Sequence, residues 1–251
     1  MAWRTEVLAG KTIAITGAAR GLGAALAIVA ADQGMRPLLL ARSSTALDET
    51  ATVIEARTGR RPDVFTCDLA DPAQVAAAAQ KIAELCPDLD ILVNSGAQWA
   101  GGDFAALSDD KIASVVNSMV TGTMALTRRL LPQLLGRPSA DIHTVISMSG
   151  LPYARMRGAS VPFVAAKAAQ TGFVQALTEE LIGTRVRVTA VYPGIVEDIS
   201  PLDPAWASER YGEDMLTSRD VVQAILYVLG QPANVAIRSL VIERHRTDFL
   251  S

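Results

Sequence analysis

The sequence predicts an α/β fold: a doubly wound parallel sheet with helices on both faces. Short apolar runs alternate with longer segments of helical period along all 251 residues, which is the signature of βαβ units. Several runs, such as Leu38-Leu39-Leu40 and Ile91-Leu92-Val93, have no polar face at all. Such strands belong to a sheet covered on both sides. No repeat or low-complexity linker interrupts the pattern, so residues 1–251 read as one domain.

Strands are predicted at Lys11–Thr16, Pro37–Ala41, Asp63–Thr66, Ile91–Asn94, Asp141–Ser147, Arg185–Tyr192 and Ser239–Glu243. Between them, Leu22–Gln33 opens as a helix after glycines, Ser44–Thr58 after a serine cap, and Pro72–Leu85 with its proline in the first turn. Two long helices follow at Ser108–Leu135 and Val161–Gly183. Ile199–Asp214 combines prolines, Trp206 and Tyr211 with mixed charge, and reads as a mobile flap over a site.

The bulk properties set limits on function. Half the residues are hydrophobic, 20% are charged and the net charge is −3, with a mean hydropathy of +0.26. That supports a sizeable core and argues against disorder. Acids and bases are interspersed, so no basic face is expected for nucleic acid. The apolar stretches are too short to span a bilayer, and the start lacks the apolar run of a signal peptide. Cys67 and Cys86 cannot form a disulfide framework and fit a reducing compartment. The expectation is a cytoplasmic protein.

The first predicted strand runs into Thr16-Gly17-Ala18-Ala19-Arg20-Gly21-Leu22-Gly23 and then directly into a helix. Glycine lets the turn be tight and lets backbone N–H groups approach a diphosphate, while the helix N-terminus favours the anion. Strand, glycine turn and helix together mark a Rossmann-type dinucleotide site. An acid after the second strand would bind a ribose 2′-hydroxyl and repel a 2′-phosphate. The sequence there is Ala41-Arg42-Ser43-Ser44, and Arg42 with Arg20 suits a phosphate dianion. NADP(H) is the expected cofactor. The alternative for Arg42 is an ordinary solvated arginine.

The glycine loop is followed, in order, by Cys67-Asp68-Leu69, Asn94-Ser95-Gly96-Ala97, Lys167-Ala168-Ala169 and Tyr192-Pro193-Gly194. Over almost its whole length the chain resembles the short-chain dehydrogenase/reductase family. The resemblance implies seven parallel strands in the order 3-2-1-4-5-6-7. It implies that Asp68, beside Leu69, meets the adenine amino group, and that Asn94 and Gly96 border the cofactor. Lys167 would bind the nicotinamide ribose, and Pro193, Gly194 and Val196 would bracket the nicotinamide ring.

Such enzymes usually work through an asparagine, a serine, a tyrosine and the lysine, the tyrosine protonating the carbonyl oxygen as hydride arrives. By the same resemblance the serine falls on Ser147, with Ser149 as a nearby alternative. The tyrosine position, four residues before Lys167, holds Phe163. The asparagine position falls on Met119. Asn117 lies two positions away, a rotation of roughly 200° on a helix, and points elsewhere. Asp198 replaces the hydroxyl residue that often binds the carboxamide.

Phe163 cannot donate a proton, and losing a positioned acid costs roughly 10²–10⁴ in rate. Three explanations stand. The first is a reductase whose acceptor needs no phenol, such as an iminium or a conjugated C=C, with protons from water, Ser147, Glu197 or Asp198. The second is a non-catalytic nucleotide-binding subunit partnering an active homologue. The third is a carbonyl reductase inactivated by a tyrosine-to-phenylalanine change, which leaves Met119 and Asp198 unaccounted for.

Several other residues carry two readings each. Trp99, Trp206 and Tyr211 form either a substrate wall or anchors of the flap, and Arg155 and Arg157 either hold an acidic substrate or sit in a solvated loop. Tyr153 and Tyr192 either reach the site or pack with their hydroxyls satisfied locally, and packing is the expectation. His143 and His245 have no third ligand nearby, so no metal is expected. The small residues Ala165, Ala166, Ala168, Ala169 and Gly172 suit close packing of the middle helices between subunits. With the resemblance, they imply a homodimer or homotetramer acting on a small-molecule substrate.

Overall fold

The computed structural model describes residues 7–154, 158–211 and 215–245. In chain order its strands are β1 (Thr12–Thr16), β2 (Arg36–Ala41), β3 (Asp63–Thr66), β4 (Leu89–Asn94), β5 (Ala140–Val145), β6 (Val186–Pro193), β7 (Val196–Glu197), β8 (Leu216–Thr217) and β9 (Ser239–Ile242). Seven form one parallel sheet in the order β3-β2-β1-β4-β5-β6-β9. This is the expected order, with the seventh predicted strand at β9. The short strands β7 and β8 form a separate parallel pair.

The helices are α1 (Gly21–Asp32), α2 (Ser44–Thr58), α3 (Pro72–Leu85), α4 (Asp109–Val116), α5 (Gly122–Leu135), α6 (Val161–Glu180) and α7 (Ser218–Leu229). Successive strand residues face opposite sides of a sheet, and the core divides accordingly. Ala14, Leu38, Leu40, Leu92 and Ile142 pack with α3, α5 and α6. Ile13, Ile15, Leu39, Ile91 and Val93 pack with α1, α2 and α7. The caps follow the sequence: Ser43 accepts from the Ala46 N–H ahead of α2, and Asp71 accepts from the Ala73 and Gln74 N–H groups ahead of α3.

Four expectations need correction. The stretch Ser108–Leu135 is not one regular α-helix, because a π turn at Asn117–Thr121 separates α4 from α5. The reason is a close approach: a Cβ on Gly122 would stand 1.8 Å from the Leu69 carbonyl oxygen, so α5 must present that glycine inward whatever the phase of α4. The fifth strand ends at Val145, leaving Ser147 on the turn beyond it. The helix expected to reach Gly183 ends at Glu180. The region expected as a flap is partly pinned to the body. Ile199 is buried, Glu197 pairs with Arg210 at 2.5 Å, and Arg219 donates to the Trp206 carbonyl at 3.0 Å. Its residues 212–214 lie outside the described residues.

Candidate active site

The site is built at the C-terminal ends of the central strands. Gly17 follows β1 at a φ of +74°, with the Cα of Gly96 3.0 Å from where a side chain would begin. A Cβ on Gly23 would lie 2.3 Å from the Gly17 carbonyl oxygen. Neither place has room for a side chain, so α1 starts hard against the turn with its first N–H groups facing outward. Ala19 and Leu22 of the same turn pack against the core beneath it. Thr16 Oγ1 accepts from the N–H groups of Ser95 and Gly96 at 3.0 and 2.9 Å, joining this turn to the end of β4.

A cleft of roughly 420 Å³, open mouth included, lies beside the turn. Thr16, Gly17, Arg42, Asp68, Leu69 and Gly96 are among the residues that line it. Asp68 is set by its own loop, accepting from the Ala70 N–H at 2.9 Å. Arg36, Arg57 and Arg61 pair with carboxylates, whereas among the described residues Arg20 and Arg42 make no ion pair and both are exposed. The cleft also includes Cys67, whose thiol burial pushes up to about 11. Gln98 and Ser118 complete the wall. Of these two, sequence reasoning does not single out Ser118, which enters through the π turn that no helical count anticipates.

Deeper in, Asn94 is buried and donates from Nδ2 to Thr127 Oγ1 at 3.2 Å and to Thr144 Oγ1 at 3.5 Å, which ties β4 to α5 and β5. Lys167 on α6 is 2% exposed. Its Nζ donates to the Val145 carbonyl at 2.9 Å, and burial lowers its pKa to about 7. One turn earlier, the Phe163 ring lies 5.6 Å from that Nζ and tilts against Trp99 at a centroid distance of 4.9 Å. Phe163 packs against a small cluster of Ala100, Val115, Met119 and Ala166. Gln170 donates to the Met119 carbonyl at 2.7 Å. Asn117 is exposed, as its helical phase implies.

Ser147 precedes a short 3-10 turn, Met148–Gly150. Its Oγ accepts from both the N–H and the hydroxyl of Ser149, at 3.2 and 3.0 Å. The two serines left open by the sequence are therefore a hydrogen-bonded pair. Pro193 closes β6, the Gly194 N–H donates to the Ile242 carbonyl at 2.9 Å, and Val196 opens β7. This arrangement supplies an anion seat, two free guanidinium groups, a buried amine, paired hydroxyls and an aromatic wall.

Other predicted residues are dispersed. Trp206 packs on the core, so it anchors its loop, and Tyr211 is 74% exposed. Trp99 alone of the three aromatics faces Phe163. Tyr192 is a core residue, whereas Tyr153, expected to pack, is 60% exposed. His143 is buried with Nδ1 2.8 Å from Thr189 Oγ1. Arg155 and Arg157 lie outside the described residues.

The model of the short chain dehydrogenase family matches residues 11–209. NADP-dependent 3-hydroxy acid dehydrogenase of Schizosaccharomyces pombe is 31% identical over 248 residues, covering 95% of each chain. An uncharacterized oxidoreductase of Staphylococcus saprophyticus is 28% identical over 235 residues, covering 94% of this chain and 97% of its own. Actinorhodin polyketide ketoreductase, solved with NADPH, aligns with a TM-score of 0.78 at 26% identity, covering 93% and 95% of the two chains. L-Sorbose reductase of Gluconobacter frateurii, at 21% identity and a TM-score of 0.81 over 95% and 98%, shares the fold. The chain belongs to the short-chain dehydrogenase family of NAD(P)-dependent oxidoreductases.

Proposed function

We propose that this protein is an NADP(H)-dependent reductase that delivers hydride to a small organic acceptor without a phenolic proton donor. The observation that carries the reading is the shared cluster of Met119 and Phe163 beside the buried Lys167 amine. At the two positions where the family resemblance calls for an asparagine and a tyrosine, this chain packs apolar side chains against one another. The two departures are therefore physically coupled, and a lone tyrosine-to-phenylalanine change does not account for both.

The residues present fit the cofactor. The Gly17 and Gly23 positions leave no room for side chains, and the exposed Arg20 and Arg42 suit a 2′-phosphate. The S. pombe relative is an NADP-dependent dehydrogenase, and the ketoreductase is solved with NADPH. NADPH, when bound, supplies a hydride. Lys167 holds the ribose hydroxyls and, with a pKa near neutrality, is partly charged at physiological pH. The Ser147 oxygen accepts two hydrogen bonds from Ser149, and this hydroxyl pair is the group that orients a substrate heteroatom. Phe163 and Trp99 form an aromatic wall suited to an iminium carbon or a conjugated C=C, whose reduction leaves no alkoxide there. The exposed small residues Ala165, Ala168 and Gly172 of α6 offer a face for a homodimer or homotetramer. Both cysteines are free and buried, in keeping with a cytoplasmic setting.

The test is NADPH binding by fluorescence and calorimetry for the wild type and Phe163→Tyr. Turnover is then followed on matched carbonyl, iminium and conjugated acceptors. The expected outcome is tight binding by both, wild-type activity on iminium or conjugated acceptors, and carbonyl activity raised by about 10²-fold in the tyrosine variant. Carbonyl activity confined to the variant, with no wild-type activity on any acceptor, would favour an inactivated enzyme. Failure of the wild type to bind NADPH would sink the reading.

A further inference from the structure

The carboxylate of Asp198 stands over the start of α1. A methyl group on Gly21, the first residue of that helix, would lie 3.1 Å from Asp198 Oδ2. The helix brings no anion of its own to its positive end: it has no acidic residue in its first turn, and its N-cap, Arg20, makes no side-chain cap. Asp198 comes to this place from a different part of the chain. It follows β7, which is fixed by pairing with β8. Ser218 Oγ donates to Asp198 Oδ1 at 3.2 Å. That serine is 0% exposed and is the first residue of α7. Immediately before it, Thr217 accepts from the Asp220 N–H while the Asp220 carboxylate accepts from the Thr217 N–H, so the support is rigid.

The geometry points to Asp198 as an internal anion seated where the cofactor's diphosphate belongs, so that the dinucleotide binds against its charge. This rests on the cofactor reading above. A carboxylate satisfies the positive end of α1 when no dinucleotide is bound and repels a phosphate that approaches the same N–H groups. At a separation of about 5 Å, with screening between that of a protein surface and that of bulk water, one such charge weakens an anion's binding by roughly tenfold. Asp198 then sets cofactor affinity: the site fills only at a dinucleotide concentration high enough to overcome the resident charge.

The experiment compares the wild type with Asp198→Asn, which keeps an acceptor for Ser218 and removes the charge, and with Asp198→Thr. NADPH is titrated by fluorescence at about 0.05 M and about 0.5 M salt, across which the Debye length shrinks roughly threefold. The expected result is an approximately tenfold lower Kd for both variants at low salt, with the gap narrowing at high salt. Without NADPH, the Asn variant is expected to unfold a few degrees lower, because α1 loses its anion. Affinity and stability thus move in opposite directions, whereas a purely structural role would lower both and overturn the proposal. Tight wild-type binding with no gain in either variant overturns this proposal alone. Failure of all three proteins to bind NADPH overturns it together with the cofactor reading.

Discussion

Lys167 shows how much one buried side chain can reveal and how much it leaves open. Its place four residues after Phe163 and ahead of two alanines is readable from the sequence. Its burial, which lowers the pKa from 10.5 to about 7, depends on how α6 lies across β5 and is not. Because the folded pKa lies below the unfolded one, the unfolded chain binds more protons between pH 7 and 10.5. Stability therefore rises with pH through that window, by up to about 1.4 kcal/mol per unit. Lys167→Met is expected to flatten this slope in urea titrations, to stabilise the protein at neutral pH, and to weaken NADPH binding. Retention of the wild-type slope in the variant would exclude Lys167 as its source. The same division holds elsewhere in the site. The exposure of Asn117 follows from helical phase, while the contact between Trp99 and Phe163 joins a loop to a helix 64 positions later, as the numbering itself shows.

The strands and early helices were readable because each carries a local signal: an apolar run, a serine or aspartate cap, a proline in the first turn. The helix at Ser218–Leu229 carries one too, and the sequence reading assigns none there. Thr217 and Asp220 form a capping box, and Val221, Val222, Ile225, Leu226 and Leu229 lie on its buried side. The signal is masked by the irregular stretch ahead of the helix, even though Gly230 caps its C-terminus and Pro232 follows. Thr217→Ala is expected to cost about 1 kcal/mol in chemical denaturation. Because this cap precedes Ser218, which holds Asp198, the variant is also expected to alter NADPH affinity. An unchanged denaturation midpoint would mean that α7 is held by packing alone.

Across the whole sheet, polar groups at depth link parts of the chain that no local pattern connects. Arg187 on β6 pairs with Asp141 on β5 at 2.5 Å and donates to the carbonyls of Leu229, Gln231 and Val235, fixing the connection into β9. His143, in register with Val93 and Thr189 on the neighbouring strands, is held neutral by burial, with Arg187 adding to the effect, and its pKa falls to about 3. The unfolded imidazole takes up its proton near 6.5, so stability is fully present above that pH and is lost as pH falls toward 3. The contribution is up to about 1.4 kcal/mol per unit. The urea midpoint is expected to fall between pH 6.5 and 4.5 in the wild type and to fall less in His143→Gln. Equal losses in both proteins would assign the acid sensitivity to carboxylates instead.

The π turn at Asn117–Thr121 has a consequence for how such a site can change over generations. The turn absorbs one residue more than an α-helix would, between Val115 on one side and Leu126, Leu130 and Leu134 on the other, all of them buried. The Gly122 contact with Leu69 fixes the downstream half. Loss of a single codon within the turn would leave that half in place and rotate the upstream half by about 100°. A different side chain would then replace Met119 beside Phe163. The length of this helix, as much as its composition, is a heritable determinant of the chemistry at the site.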